Sequence, residues 1–201
     1  MMMQTKFKST TKNKSMATNN QTALHVPELE TSRLLIRCLR MDDAAAMLEI
    51  LSDEETVRYW GRPVMTELQQ AQDYTRENLR WMEDGHCLYW GIEEKASGKM
   101  IGTCTLFKLD STNRRGEIGY LLNRVYWHLG LMSEAMESVI AYAFTVLKLH
   151  RLEADTDPGN AASIRILEHF GFEREGLFRD RWLVNGVWCD SLMLGLVSNQ
   201  G

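Results

Sequence analysis

The segment Glu117–Met136, EIGYLLNRVYWHLGLMSEAM, holds the residues whose order most directly implies chemistry. It reads as a short buried strand, a loop pivoting on Gly130, and the first turn of an amphipathic helix. A junction of this kind aims a row of free backbone N–H groups, and the positive end of a helix dipole, at one point. It binds an anion, most simply phosphate or pyrophosphate, through backbone rather than side-chain charge. No Gly-Lys-Ser/Thr follows the loop, which excludes a nucleotide triphosphatase loop, and the glycine pattern of a dinucleotide-binding turn is missing. An ordinary strand-to-helix connection is the competing reading of this segment by itself.

The elements that must position the loop are legible on both sides of it. Arg33–Arg40 reads as a strand, and Asp42 opens a short helix through Leu51. Thr66 with Gln69 three residues later forms a capping box for a helix running to about Asp84, burying Ala71, Tyr74, Asn78 or Leu79, and Trp81. Strands His86–Glu94, Met100–Leu109 and Glu117–Asn123 follow, linked by tight turns into an antiparallel meander. After the loop, Ala135, Met136, Val139, Ile140, Ala143, Phe144 and Leu147 mark one face of a helix. A strand Arg151–Asp157 and a helix from about Ala161 to Phe170 come next, so the strands flanking the first of these helices share a sheet. Asn185-Gly186 signals a final hairpin, with Arg181 opposite Asp190, Trp182 opposite Cys189 and Leu183 opposite Trp188.

Composition narrows the function classes. A chain of 201 residues with 44% hydrophobic residues suits one domain with a full core, expected over residues 28–198. A net charge of −4 argues against nucleic-acid partners, and no apolar run is long enough for a membrane span. Cys38, Cys87, Cys104 and Cys189 lack zinc or disulfide spacing, and the histidines lack metal-ligand spacing, so no metal is expected and the cytoplasm is the expected compartment. Residues 1–27 carry Lys6, Lys8, Lys12 and Lys14 and no acidic residue, and read as a disordered basic, polar tail.

Three stretches together resemble the GNAT superfamily of acyl-CoA-dependent N-acetyltransferases. EIGYLL followed by Gly130-Leu131-Met132-Ser133-Glu134-Ala135 looks like its pyrophosphate loop, and RLEADTDPGNAAS like its fifth strand and the Asn after it. ILEHFGFEREGLFRD, with the hairpin ending in Asp190, is similar to the RimJ/RimL branch of ribosomal-protein N-terminal acetyltransferases. The resemblance implies an α/β (α+β) fold, a mixed and mostly antiparallel sheet flanked by helices, with a splayed strand pair binding acetyl-CoA. Leu121, Leu122 and Asn123 would pair with the pantetheine amides. The N–H groups of Leu129, Gly130, Leu131, Met132 and Ser133 would hold the pyrophosphate, and Asn160 either bonds the pantetheine arm or caps its helix. The chain departs from the family pattern at Trp127, where Gln or Arg is usual, at Met132, where Gly or Ala is usual, and at Arg124, where Pro is common. The tyrosine that many members carry seven residues after the Asn is Leu167 here.

The chemistry implied is transfer of acetyl to a primary amine. An α-amino group near pKa 7.8 is about a tenth neutral at pH 7, whereas deprotonating a lysine near 10.4 costs about 3.5 kcal/mol more. A chain without a conspicuous base therefore suits a protein or peptide N-terminal amine, with a small-molecule amine (polyamine or antibiotic) as the alternative acceptor. A non-catalytic acyl-CoA-binding module is the non-enzyme alternative. Glu117 and Glu153 are the candidate bases; each could instead pair with an arginine. Ser163 is the candidate donor to the departing thiolate, or a helix residue satisfying backbone groups. No cysteine lies in the loop or on the framing strands, so direct attack is expected, without an acetyl-enzyme intermediate. Trp60, Trp81, Trp182 and Trp188, from the Thr66–Asp84 region and the hairpin, are expected to shape the acceptor pocket, and the exposed apolar hairpin to support a homodimer.

Overall fold

The computed structural model describes residues 26–184 and 186–198. The expected tail lies outside the described residues as far as position 25, but Val26 is buried and the Pro27 carbonyl accepts the Trp90 indole N–H at 2.8 Å. The chain is therefore engaged with the core slightly earlier than composition suggests.

Eight strands form one sheet in the order β1-β2-β3-β4-β5-β6-β8-β7. They are β1 (Leu29–Glu30), β2 (Leu34–Cys38), β3 (Cys87–Glu94), β4 (Lys99–Asp110), β5 (Arg115–Leu122), β6 (Arg151–Thr156), β7 (Glu173–Val184) and β8 (Val187–Val197). Every neighbouring pair is antiparallel except β5 and β6, which run parallel and are joined through helix α4 (Leu131–Thr145). The other helices are α1 (Ala44–Leu51), α2 (Glu54–Val57), α3 (Leu68–Glu83) and α5 (Ala161–His169). This is the mixed, mostly antiparallel α/β architecture expected from the sequence.

The apolar periodicities explain the packing. β3 and β4 sit inside the sheet, with six and seven consecutive buried residues, which is the pattern of a strand covered on both faces. α4 buries Leu131, Met132, Ala135, Met136, Val139, Ile140 and Ala143, a stripe at three- and four-residue spacing. Fully burying one such aliphatic side chain stabilises the fold by about 1.5–3 kcal/mol. Two local expectations shift. The capping box of α3 lies one residue later than Thr66/Gln69: Gln70 Oε1 accepts the N–H groups of both Thr66 (2.8 Å) and Glu67 (3.1 Å). The buried face of α3 is Ala71, Tyr74, Thr75, Asn78 and Met82, so Met82, four residues after Asn78, takes the place expected for Trp81.

The hairpin register matches at Trp182–Cys189 and Leu183–Trp188. The expected Arg181–Asp190 pair does not form. The register shifts between Phe178 and Trp182, Asp180 adopts φ +48°, and its N–H donates to Asp190 Oδ1 at 3.0 Å. The irregularity re-aims Arg181, whose guanidinium stacks on Phe178 and Trp182 and approaches Asp155 at 3.9 Å. Asn185 lies outside the described residues.

Candidate active site

The site begins where the parallel pair fails. β5 and β6 are in register at Arg115–Arg151, Gly116–Leu152 and Glu117–Glu153, and then separate. On its other side β5 stays bonded to β4 as far as Asn123, whose N–H donates to Ile101 at 2.8 Å. Alternate residues of an antiparallel pair turn both main-chain groups toward the partner. Glu117, Gly119, Leu121 and Asn123 thus bond to β4, while Tyr120 and Leu122 turn their main chain into the gap. Of Leu121, Leu122 and Asn123, expected to pair with the pantetheine amides, only Leu122 turns its main chain into the gap. Tyr120 is the residue that sequence reading missed, and its signal was the two-residue period itself. The Leu122 carbonyl already accepts the Trp127 indole N–H at 2.9 Å.

The loop follows directly. Asn123 Oδ1 accepts the Val125 N–H at 3.1 Å and opens a single 3-10 turn, Arg124–Tyr126. His128 (φ +62°) and Gly130 (φ +74°) both adopt the left-handed conformation, which curls the chain into α4. Gly130 caps the helix, and its carbonyl accepts the Glu134 N–H at 3.1 Å. The N–H groups of Leu131, Met132 and Ser133 therefore have no place in the helical ladder and point off its N-terminus. The side chain of Met132 is buried in the core, so this departure from the family pattern packs inward.

A brace outside the gap holds the loop. Glu134 accepts from the hydroxyls of Thr31 (2.5 Å) and Ser32 (3.1 Å), and from Arg33 through its N–H (2.9 Å) and Nε (2.6 Å). The Arg33 Nη1 also donates to the Leu129 carbonyl at 2.9 Å. Desolvation pushes the Glu134 carboxyl upward, but the bonds from Thr31, Arg33 and Ser32 outweigh it and hold its pKa at about 2. The turn between β1 and β2 is thereby pinned to the second half of the loop, nearly a hundred residues later in the chain.

The gap opens into a cleft of about 640 Å³. Its walls are Glu55, Thr56, Tyr59 and Trp60 from α2 and beyond, Ile118–Leu122, Trp127, His128, Gly130–Ser133, Ala154–Thr156 and Asn160–Ser163. Of the four tryptophans expected to shape an acceptor pocket, only Trp60 lies in the cleft wall. Trp81 packs edge-on to His86 and Trp188 is exposed on the hairpin. On this side the cleft is lined by α2 and the residues after it rather than by α3.

Glu117 and Glu153 face each other in register at the closed end and are not part of the cleft wall. Both are ion-paired: Glu117 binds Lys108 Nζ at 2.7 and 2.9 Å, and Glu153 binds Arg115 at 3.1 Å and Arg151 at 2.8 Å. Two like charges in adjacent strands are held together by cations on either side, which is the ion-pair alternative to a base. Asp155, two residues beyond Glu153 on the same face of β6, does line the cleft. Its Oδ1 accepts the Ser191 hydroxyl at 2.5 Å. Asn160 caps α5, accepting the Ser163 N–H at 3.1 Å, and also lines the cleft. Ser163 Oγ lies 2.7 Å from the Tyr120 hydroxyl. Among the described residues no cysteine lines the cleft, and burial pushes the Cys87 and Cys104 thiols up to about 12.

The parallel pair parts before the N-terminus of the connecting helix, as the resemblance implies. Residues 33–173 match the model of the acetyltransferase (GNAT) domain. The chain belongs to the GNAT acetyltransferases. It is 35% identical to the uncharacterized N-acetyltransferase p20 of Bacillus licheniformis, over 86% of this chain and 97% of that protein. It is 26% identical to the ribosomal protein uS5-alanine N-acetyltransferase of Escherichia coli strain K12, over 85% and 90% of the two chains. Among solved structures, a GNAT-family acetyltransferase from Bacillus anthracis superposes with TM-score 0.75 at 26% identity, covering 85% of this chain and 98% of that one. Mycobacterium smegmatis RimJ in complex with CoA-disulfide does so with TM-score 0.74 at 25% identity, covering 83% of each. GNAT enzymes use acetyl-CoA, and two features here suit such a co-substrate. The orphan N–H groups after Gly130 suit a pyrophosphate, and the unpaired β5 edge suits an extended amide-containing arm.

Proposed function

We propose that the protein transfers acetyl from acetyl-CoA to the N-terminal amine of a protein or peptide by direct attack. One observation carries this reading: the gap between β5 and β6 runs from the α4 N-terminus to a cleft with a carboxylate, Asp155, on its wall and no cysteine among its described residues. The N–H groups of Leu131–Ser133 hold the pyrophosphate, and the main chain of Tyr120 and Leu122 pairs with the pantetheine arm. The Leu122 N–H polarises the thioester carbonyl as charge develops on its oxygen. The neutral amine forms the C–N bond, the C–S bond breaks, and the sulfur leaves with the electron pair. Asp155, through water or directly, takes the proton that the amine nitrogen sheds, a role that moves from Glu117 and Glu153 because those carboxylates are tied up at the closed end.

The acceptor class follows from how that carboxylate is held. Asp155 is engaged with Ser191 and Arg181, so an amine that is already partly neutral at pH 7 is favoured over lysine. A relative named as a ribosomal protein uS5-alanine N-acetyltransferase supports a protein acceptor. The free thiols agree with a cytoplasmic setting, and no helix among the described residues is long and apolar enough to cross a membrane. Mass spectrometry of acetylation on a mixed panel of N-terminal peptides, polyamines and aminoglycosides tests the proposal. Acetylation of peptide α-amines is expected. Labelling confined to polyamines or aminoglycosides would move the acceptor to small molecules, and retained acetyl-CoA binding with no product would leave only a binding module.

A further inference from the structure

We infer that Tyr120 is a positioning residue for the acetyl-transfer step: it donates to Ser163 Oγ and so frees the Ser163 proton to meet the leaving sulfur, in place of the missing helix tyrosine. The inference rests on the acetyl-CoA reading of the cleft. Both residues line that cleft, Tyr120 from β5 just beyond the last paired register and Ser163 from the first turn of α5. Their oxygens are 2.7 Å apart, within the range of a short O–H···O bond. The Ser163 carbonyl is a second, longer acceptor for the same phenol, at 3.3 Å.

Direction follows from chemistry. A phenol is a far better donor than an aliphatic hydroxyl, so Tyr120 donates and Ser163 accepts. Ser163 N–H is already given to Asn160, which fixes the first turn and with it the direction of the Ser163 Cα–Cβ bond. With its lone pair occupied by Tyr120, the serine hydroxyl is polarised and its own proton is left for a third group. Burial holds the Tyr120 hydroxyl well above its ordinary value, against a smaller opposing effect of Ser163, so the phenol stays neutral and donates without ionising. Tyr120 is therefore not the acid. The sulfur leaves with the C–S electron pair and is held by the Ser163 O–H; the proton it finally gains comes from water or from the one shed by the amine. Leu167, at the family's usual tyrosine position, is buried in the core and has no such proton to offer.

Titration of CoA bound to the protein, read by thiolate absorbance in the ultraviolet, tests this without any acceptor. A donor held at the sulfur lowers the bound thiol below its free value of about 8.5. Tyr120→Phe and Ser163→Ala are each expected to raise the bound thiol by about half to one unit, with CoA affinity changed less than threefold, and the double variant no further than Ser163→Ala alone. With acetyl-CoA and a peptide amine, kcat of Tyr120→Phe should fall about tenfold at unchanged KM, and Ser163→Thr, which keeps the hydroxyl, should retain most activity only when Tyr120 is present. A bound thiol that titrates the same in wild type and Tyr120→Phe overturns the inference, as does a full further loss in the double variant. A packing role alone would lower affinity or melting temperature and leave the thiol where it was; should Tyr120→Phe not fold, Ser163→Ala by itself must still move the thiol. If the thiol moves as expected but no amine is acetylated, the functional reading fails and the Tyr120–Ser163 pair stands; failure to bind CoA overturns both.

Discussion

Replacing Glu134 with Gln probes the brace that shapes the loop proposed to hold the pyrophosphate. The Glu134 carboxylate is held near pKa 2 against an ordinary value of 4.5, because Thr31, Ser32 and Arg33 donate to it. Its side chain is only 15% exposed, so little of that effect is lost to solvent. A carboxylate whose pKa is depressed on folding stabilises the protein fully above its unfolded pKa and loses that contribution as pH falls through the folded pKa. The depression corresponds to about 3 kcal/mol near pH 7, as an upper estimate, and to about 1.4 kcal/mol at pH 3. Glu134→Gln should therefore unfold in urea about 2–3 kcal/mol more easily than wild type at pH 7, a melting point lower by roughly 5–10 °C. The gap should shrink by about half at pH 3. Other titrating groups cancel in the comparison. A gap that is absent at pH 7, or as large at pH 3, would refute the assignment of the brace. Acetyl-CoA affinity measured on the same samples should fall about tenfold, since the loop then loses its tie to the turn between β1 and β2.

Gly130→Val should weaken acetyl-CoA binding at least tenfold by calorimetry; the cause is the +74° φ rather than crowding, because a Cβ there would meet only the Arg33 Nη2, at an ordinary 3.6 Å. Replacing all four cysteines by Ala should leave turnover within about tenfold, and a trapped acetyl-thioester on any of them would force a ping-pong scheme instead. Alkylation at pH 8 should label Cys189 well before Cys87 and Cys104, whose thiols, raised to about 12, are almost entirely protonated there. The hairpin exposes Leu177, Phe178, Leu183, Val187 and Trp188, and sedimentation at micromolar concentration should show a dimer that Trp188→Lys dissociates.

Element identity, and the place of the loop before α4, were determined locally. A strand that alternates, a glycine at the turn and a helix with one apolar stripe each satisfy their backbone within a few residues, so their chemistry is written in neighbouring letters. β5, α4, β6 and α5 are found within two residues of where the sequence put them. The partners of charged side chains could not be read this way. Glu117 and Glu153 read equally as bases or as partners for an arginine until the parallel register sets them side by side, where Lys108, Arg115 and Arg151 neutralise them. Counting out from the turn matches Arg181 to Asp190, but an irregularity in β7 sends it to Asp155 instead. Glu134 meets Thr31, Ser32 and Arg33 across a hundred residues of chain, and Tyr120 meets Ser163 across forty-three. Local hydrogen bonding and periodicity fix an element before the rest of the chain is placed. A charge or hydroxyl is satisfied by whichever group the finished packing brings within 3 Å, and that is decided by the tertiary structure alone.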